Sequence, residues 1–255
     1  MDGTAKKIAV VITSHNYGRF LGACLQSVQA QTLCPIDVVV VDDGSDDDTE
    51  TVVKAFSDVR YFRVDFCNGN RARNYGFSKV LCDFVVFFDA DNTMFPQFLE
   101  KLYGALCDCS EAAFAYCDRI NVADGDVSWY PLPMGLWQAG PFDIARLKVA
   151  NYIDLSSMIR ANSFPGFDEQ LHRYQDWDLW LHMVLKKGYR GGYVPAALFQ
   201  YRVHTQSLSY REDRDRAVWA IRRKYRIGWG AWPLLRHSFR FYMLALRCWR
   251  WLVGK

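Results

Sequence analysis

The stretch Val85-Val86-Phe87-Phe88-Asp89-Ala90-Asp91-Asn92 passes from four residues suited to a buried strand straight into two carboxylates one residue apart. A run this apolar suits burial on both faces, as in a parallel sheet covered by helices. Two acids at its carboxyl end repel each other unless something positive sits between them. One reading is a polar turn, with Asp and Asn as ordinary turn formers. The other is a metal site that holds a phosphate-bearing ligand.

Working outward, residues 8–13, 38–41 and 59–64 read as further strands, and residues 20–31, 49–56 and 70–79 as helices. Pro96 opens another helix running to Leu106, a position where its missing N–H costs nothing. Strands alternating with helices argue for a mostly parallel, helix-covered sheet. Ligands bind such sheets beyond the carboxyl ends of the strands. Three polar clusters fall at those ends here: residues 14–18, 42–45 and 89–92. Beyond residue 112 the pattern is less regular. Residues 113–120 and 152–159 read as strands, residues 129–141 as a loop over the site, and residues 177–187 as a helix ending at Gly188.

The chain has 255 residues, 51% of them hydrophobic, enough for a sizeable core in one large α/β unit. Residues 1–110 read as a ligand-binding half, residues 111–210 as the other half of the same domain, and residues 211–255 as a basic tail. The formal net charge of +3 gives no argument for nucleic acid, but it is unevenly spread. Nine Lys or Arg and no acid lie between Ala217 and Lys255. The eight cysteines form neither a secreted disulfide framework nor a zinc pattern. With no signal peptide and no membrane-spanning run recognised, the expectation is a reducing cytoplasm.

The ordered set VITSHNYGRFLGACLQSVQAQT, VVVVDDGSDDDT, RARNYGF, VVFFDADN, YQDWDLWLHM and YRVHTQSLS resembles the family 2 glycosyltransferases, with their nucleotide-sugar-binding GT-A fold. The resemblance implies that Thr13, His15 and Asn16 line a nucleotide pocket. It implies that Asp42 or Asp43 accepts from a uracil ring, and that Arg73 lies near the nucleotide and its phosphates. Asp89 and Asp91 match the DXD pair that holds Mn²⁺ or Mg²⁺ on the donor diphosphate, with Asp89 also on the nucleotide side. His204 matches a further metal or diphosphate contact. Its alternative is a hydrogen-bonded histidine at a strand end. Asp176 matches the catalytic base, and Asp178 is its rival. The chain departs from the common pattern at Thr13-Ser14-His15-Asn16, at Gln175 before the base, and at Asn92 after the DXD pair.

The chemistry needs these residue types. A divalent cation stabilises a departing diphosphate as a Lewis acid. A carboxylate on the opposite side takes the proton of the acceptor hydroxyl, and in-line attack inverts the anomeric centre. The expected function is therefore transfer from a nucleotide sugar, a UDP-sugar, to a hydroxyl of a glycan or lipid-linked glycan in surface polysaccharide synthesis. The alternative is a membrane-attached nucleotide- or glycan-binding protein whose transferase site has decayed. A nucleotidyltransferase lacks its Gly-rich phosphate loop here, and a dehydrogenase lacks Gly-X-Gly-X-X-Gly. In the tail, Leu235, Phe239, Tyr242, Leu246, Trp249 and Val253 form one helical face flanked by Arg236, Arg240, Arg247 and Arg250. Such a helix suits an anionic membrane surface, which would make the protein peripheral on the inner face of the cell membrane. Docking on the body or on a partner is the other reading of that face.

Overall fold

The computed structural model describes residues 7–128, 130, 132–207 and 214–228. The amphipathic face expected from Leu235 onward, and Trp129 in the expected loop, lie outside these residues. Four strands, β1 (Ile8–Ser14), β2 (Asp37–Asp43), β3 (Val59–Val64) and β4 (Phe84–Asp89), are parallel and lie side by side in the order β3-β2-β1-β4. They follow the apolar runs within one or two residues at each end; in β1, β2 and β4 burial on both faces leaves no polar position to confuse the limits, whereas β3 is only partly buried. The helices between them are α1 (Gly18–Gln29), α2 (Thr49–Lys54) and α3 (Gly69–Ser78).

The second half continues the same sheet. β5 (Thr93–Met94), α4 (Phe98–Asp108), β6 (Ala112–Ala123), β7 (Gly135–Trp137), α5 (Ile144–Val149) and β8 (Met158–Arg160) lead to α6 (Gln175–Leu181). A π-helical turn, His182–Lys186, extends α6, and β9 (Arg190–Val203) and α7 (Arg214–Tyr225) follow. The full order is β3-β2-β1-β4-β8-β6-β9-β5, with β7 on β6; β8 runs antiparallel to β4 and β6. The sheet is thus mixed, and a single sheet holds strands from Ile8 through Val203.

Two expectations need correction. Residues 152–157 are not a strand; only Met158–Arg160 pairs. Asp154 accepts from Ser156 N–H at 2.9 Å, and Ser157 Oγ donates to the Asp154 carbonyl at 2.7 Å, local bonds that compete with a ladder. Residues 129–141 are not wholly loop, since Gly135–Trp137 pairs with β6.

The pleat of the first four strands sorts their side chains between two cores. Val10, Ile12, Val38, Val40, Val86 and Phe88 face α1 and α4. Val11, Val39, Val41, Val85 and Phe87 face the other side, where α3 and α6 pack. α3 lies very close to the sheet at Gly76, where an added Cβ would stand 2.5 Å from Val11 Cγ1 and 3.0 Å from Val41 Cγ2. Both valines are wholly buried and cannot withdraw. Gly76→Ala is therefore expected to cost about 1–3 kcal/mol by overpacking, read as a lower midpoint in urea unfolding with an unchanged slope.

Candidate active site

The strand ends converge because β1, β2 and β4 are in register: Thr13 lies beside Asp89, and Ser14 beside Asp42. Alternation along each strand then puts Thr13, Asp43 and Asp89 on the α3 face, and Asp42 on the α1 face. Sequence alone leaves Asp42 and Asp43 equivalent; the pleat separates them. Asp42 is fully enclosed, accepting from Ser45 N–H at 2.9 Å and from Tyr61 O–H at 2.6 Å, with Arg63 at 3.4 Å. Burial and the bond to Asp42 push the Tyr61 phenol up to about 12, so it stays a donor. Asp43 ties the loop before α3 to β2. It accepts from Phe66 N–H at 2.6 Å, Cys67 N–H at 3.0 Å and Asn68 N–H at 2.7 Å.

His15 and Asn16 build one rim with the loop after β2. His15 Nδ1 donates to the Asp43 carbonyl at 2.7 Å. Asn16, at φ +59°, donates its N–H to Ser45 Oγ at 2.8 Å and accepts from Asp46 N–H at 2.8 Å. Both residues are exposed.

α3 serves as the hub of the site. Its cap residue Asn68 accepts from the N–H groups of Asn70 and Arg71, both at 3.0 Å. Arg73, buried to 6% exposure, reaches Asp89 Oδ1 at 2.8 Å. Asn70 Nδ2 donates to the Asp168 and Leu171 carbonyls, each at 2.8 Å. Asn74 exchanges two bonds with the backbone of Phe167, at 2.8 and 3.0 Å. The helix thus holds the 167–171 loop that leads into α6.

Tyr174, at φ +57°, turns the chain into α6, a left-handed conformation that costs a non-glycine residue about 1 kcal/mol or more. Asp176 follows in the first helical turn. Its Oδ1 accepts from Trp177 N–H at 2.8 Å and its Oδ2 from Asn151 Nδ2 at 2.6 Å. Burial, reinforced by the charges of Asp154 and Asp89, pushes its carboxyl up to about 7. Asp178 points elsewhere: both its oxygens take Lys224 of α7, at 2.8 and 2.9 Å, and Lys224 also reaches Asp168 at 2.6 Å. The rival acid is therefore an anchor between helices.

Asp91 lies opposite, enclosed, with Oδ2 3.0 Å from His204 Nε2. Burial raises its carboxyl above the usual range, and Asp89 adds to this. His204 is packed against Tyr17 and Phe20, and its buried Nδ1 has no hydrogen-bond partner. Arg202 Nε donates to the Asp91 carbonyl, and Asn92 Oδ1 accepts from Arg202 N–H, both at 3.0 Å, fixing the loop to β9.

The donor set suits a hard cation in part. Asp89 and Asp91 each keep an oxygen outside the Arg73 and His204 contacts, and a nearby positive charge would relieve the raised Asp91. Among the described residues no three His, Cys, Asp or Glu side chains group closely enough to hold a cation by themselves. Phosphate oxygens and water would have to complete the shell, as is usual for Mg²⁺. His204 fits less well: with Nε2 on a metal, its Nδ1–H would lack the acceptor that ligating histidines usually have.

The family model for Glycosyl transferase family 2 matches residues 9–166, well over half of the chain. The chain belongs to glycosyltransferase family 2. Curated relatives of this family 2 chain include the glycosyltransferase YwdF of Bacillus subtilis strain 168, 27% identical over 205 residues, which are 76% of this chain and 74% of that protein. Three further glycosyltransferases are matched over only 41%, 31% and 14% of their own length, so the chain spans less than half of each. Among solved structures, S. aureus TarS in complex with UDP-GlcNAc superposes with a TM-score of 0.68 at 18% identity, over 86% of this chain and 65% of that one. The mannosyltransferase PcManGT from Pyrobaculum calidifontis, in complex with GDP-Man and Mn²⁺, gives 0.64 at 17%, over 87% and 64%. At such identities these two show the fold, which is that of GT-A enzymes.

Sequence reasoning missed Asn151, Asp154 and Arg119. Arg119 on β6 pairs with Asp154, and its guanidinium lies 4.0 Å over the Tyr201 ring and 3.0 Å from Tyr130 Oη. Nothing in the sequence around these residues marks them. Only the fold brings Asn151 and Asp154 to Asp176, and Arg119 onto Asp154.

Proposed function

We propose that this chain is an inverting glycosyltransferase that moves a sugar from a nucleotide-sugar donor, a UDP-sugar, to a hydroxyl of a glycan or lipid-linked glycan. The observation that carries the reading is the shared face. Thr13, Asp43 and the Arg73–Asp89 pair lie on the side of the sheet where α6 brings Asp176, whose carboxyl is raised to about 7. In this reading Asp43, Thr13, His15 and Asn16 border the nucleotide, and Arg73 fixes Asp89 beside the diphosphate. Asp89 and Asp91 hold Mn²⁺ or Mg²⁺, with His204 buttressing Asp91. A cation bound there supplies Lewis-acid stabilisation to the departing diphosphate. Asp176 takes the proton from the acceptor hydroxyl, and a base titrating near the working pH suits that task. The acceptor enters on the β6–β9 side, between Arg119 and α6.

Similarity to TarS bound to UDP-GlcNAc supports a uridine nucleotide, whereas PcManGT carries GDP-Man, so the base is a point to test. Among the described residues no helix is long and apolar enough to cross a membrane. Placement on the cytoplasmic membrane face, through the tail, belongs to the same proposal, as does a role in surface polysaccharide synthesis.

A thermal-shift panel of UDP, GDP, CDP and dTDP, each with and without Mn²⁺, tests the reading. At about 100 times its dissociation constant the right nucleotide adds roughly 2.7 kcal/mol, or about 5–10 °C for a chain of this size. The expected result is a UDP shift that needs Mn²⁺ and disappears in Asp91→Ala. A shift with GDP alone would replace the donor, and no shift with any nucleotide would overturn the reading.

A further inference from the structure

Three polar bonds join α6 to α5 and to the segment that follows it. Trp177 Nε1 donates to the Leu147 carbonyl at 2.7 Å, and Trp180 Nε1 to the Ile153 carbonyl at 2.9 Å. Both indoles are buried, so these bonds fix the chain on either side of Asn151 against the helix. Asn151 lies between them. Its Nδ2 donates to Asp176 Oδ2 at 2.6 Å, while its Oδ1 accepts from Ile153 N–H at 3.3 Å. The second bond decides which end of the amide is which, since only Oδ1 accepts.

We propose that Asn151 is a positioning residue for the base, its amide fixing the Asp176 carboxylate toward the acceptor hydroxyl from a segment latched by Trp177 and Trp180. The inference rests on Asp176 being the base. A carboxylate at a helix start has freedom about χ1 and χ2. One oxygen is tied to Trp177 N–H, and the Asn151 amide ties the other, which leaves a single orientation. The bond is charge-assisted and so favours the ionised form. It works against the groups that face Asp176: Asp154 from the same segment, Asp89 from the end of β4, and the buried Tyr174 from the preceding turn. Arg119 already offsets part of the Asp154 charge. Without the amide, burial and these neighbours would hold the proton on Asp176 through neutral pH.

The test uses the full chain labelled with [13Cγ]aspartate, the Asp176 resonance being assigned by its loss in Asp176→Asn. Its titration is followed in wild type, Asn151→Ala and the isosteric Asn151→Asp. In Asn151→Ala the midpoint is expected to rise by about one pH unit or more. In Asn151→Asp two carboxylates share one proton, and the rise is larger. With the donor found by the nucleotide panel, the acid limb of kcat/KM moves by the same amount, kcat falls, and the donor KM stays. Asn151→Asp serves if Asn151→Ala fails to fold. Midpoints and acid limbs unchanged from wild type in a folded variant would overturn the proposal. Transfer that survives Asp176→Asn would overturn it differently, by removing Asp176 as the base.

Discussion

Asp176→Asn is expected to lower sugar transfer by about 10²- to 10⁴-fold, while Mn²⁺-dependent stabilisation by the nucleotide stays intact. The amide accepts no proton from an acceptor hydroxyl, yet it retains the shape of the carboxylate and its bond from Trp177 N–H. The new Nδ2 faces the Asn151 amide and loses that bond at every pH, so the expected signature is a melting temperature that shifts in the variant's favour, relative to wild type, between pH 4 and pH 8. Folding lifts this carboxyl from its ordinary 3.8 to about 7. As pH rises between those values, the unfolded chain gives up a proton that the folded chain keeps, so stability is lost across that window. Above about 7 the loss is complete and constant. Asparagine carries no such penalty, so the gain grows from pH 4 to 7 and then levels off. Parallel melts at pH 4, 6 and 8, with single-turnover assays, check both halves. A difference from wild type that does not shift in the variant's favour between pH 4 and pH 8, or transfer at the wild-type rate, would contradict this account.

The two acids of the Asp-Ala-Asp run are expected to part company in stability, although the proposed reaction uses both. Asp89→Ala removes the partner of Arg73, whose guanidinium is only 6% exposed and has otherwise Asn70 Oδ1 at 3.3 Å. Leaving a buried cation unpaired costs about 3–5 kcal/mol, or about 6–20 °C in melting temperature for a chain of this length. Asp91→Asn instead removes a charge that burial already disfavours, and its amide oxygen still accepts from His204 Nε2. Its melting temperature at pH 8 is expected to equal or exceed that of wild type, with the Mn²⁺ effect on nucleotide binding gone. Calorimetry of the two variants, with and without UDP and Mn²⁺, separates them; equal losses of stability would show that Arg73 does not depend on Asp89.

Much of this was legible in the sequence because it is written in long, two-sided apolar runs. β1, β2 and β4 could be placed from their Val, Ile and Phe content alone, and the polar clusters that follow them had to share one edge of the sheet. Which side each acid faces was not legible. Val38 to Val41 are four identical residues, and an unbroken apolar strand carries no parity signal. The helix containing Asp176 was readable, but its split into α6 and a π-helical turn was not. β9 was hidden except at its end. Gly191-Gly192 and Pro195 weaken its pattern, and the strand tolerates Pro195 because pairing with β6 shifts register between Val194 and Ala197. Gly191 is needed there, since an added Cβ would stand 2.5 Å from the Phe114 ring. Asn151 could not have been found from sequence, being one asparagine in an irregular segment whose role depends on two indoles elsewhere.

The flush alignment of Thr13 with Asp89 has a consequence for how this site tolerates change. Side chains on neighbouring strands alternate with a period of two, so inserting one residue ahead of Asp89 within β4 would send its carboxylate to the α1 face and put the Phe88 ring in its place beside Arg73. Apolar substitutions along these strands alter packing by degrees, whereas a single deletion or insertion inverts the surface offered to the ligand. The location of the proposed chemistry is therefore an integer property of the chain: whether a carboxylate or a ring stands beside Arg73 depends on whether a count of residues is odd or even.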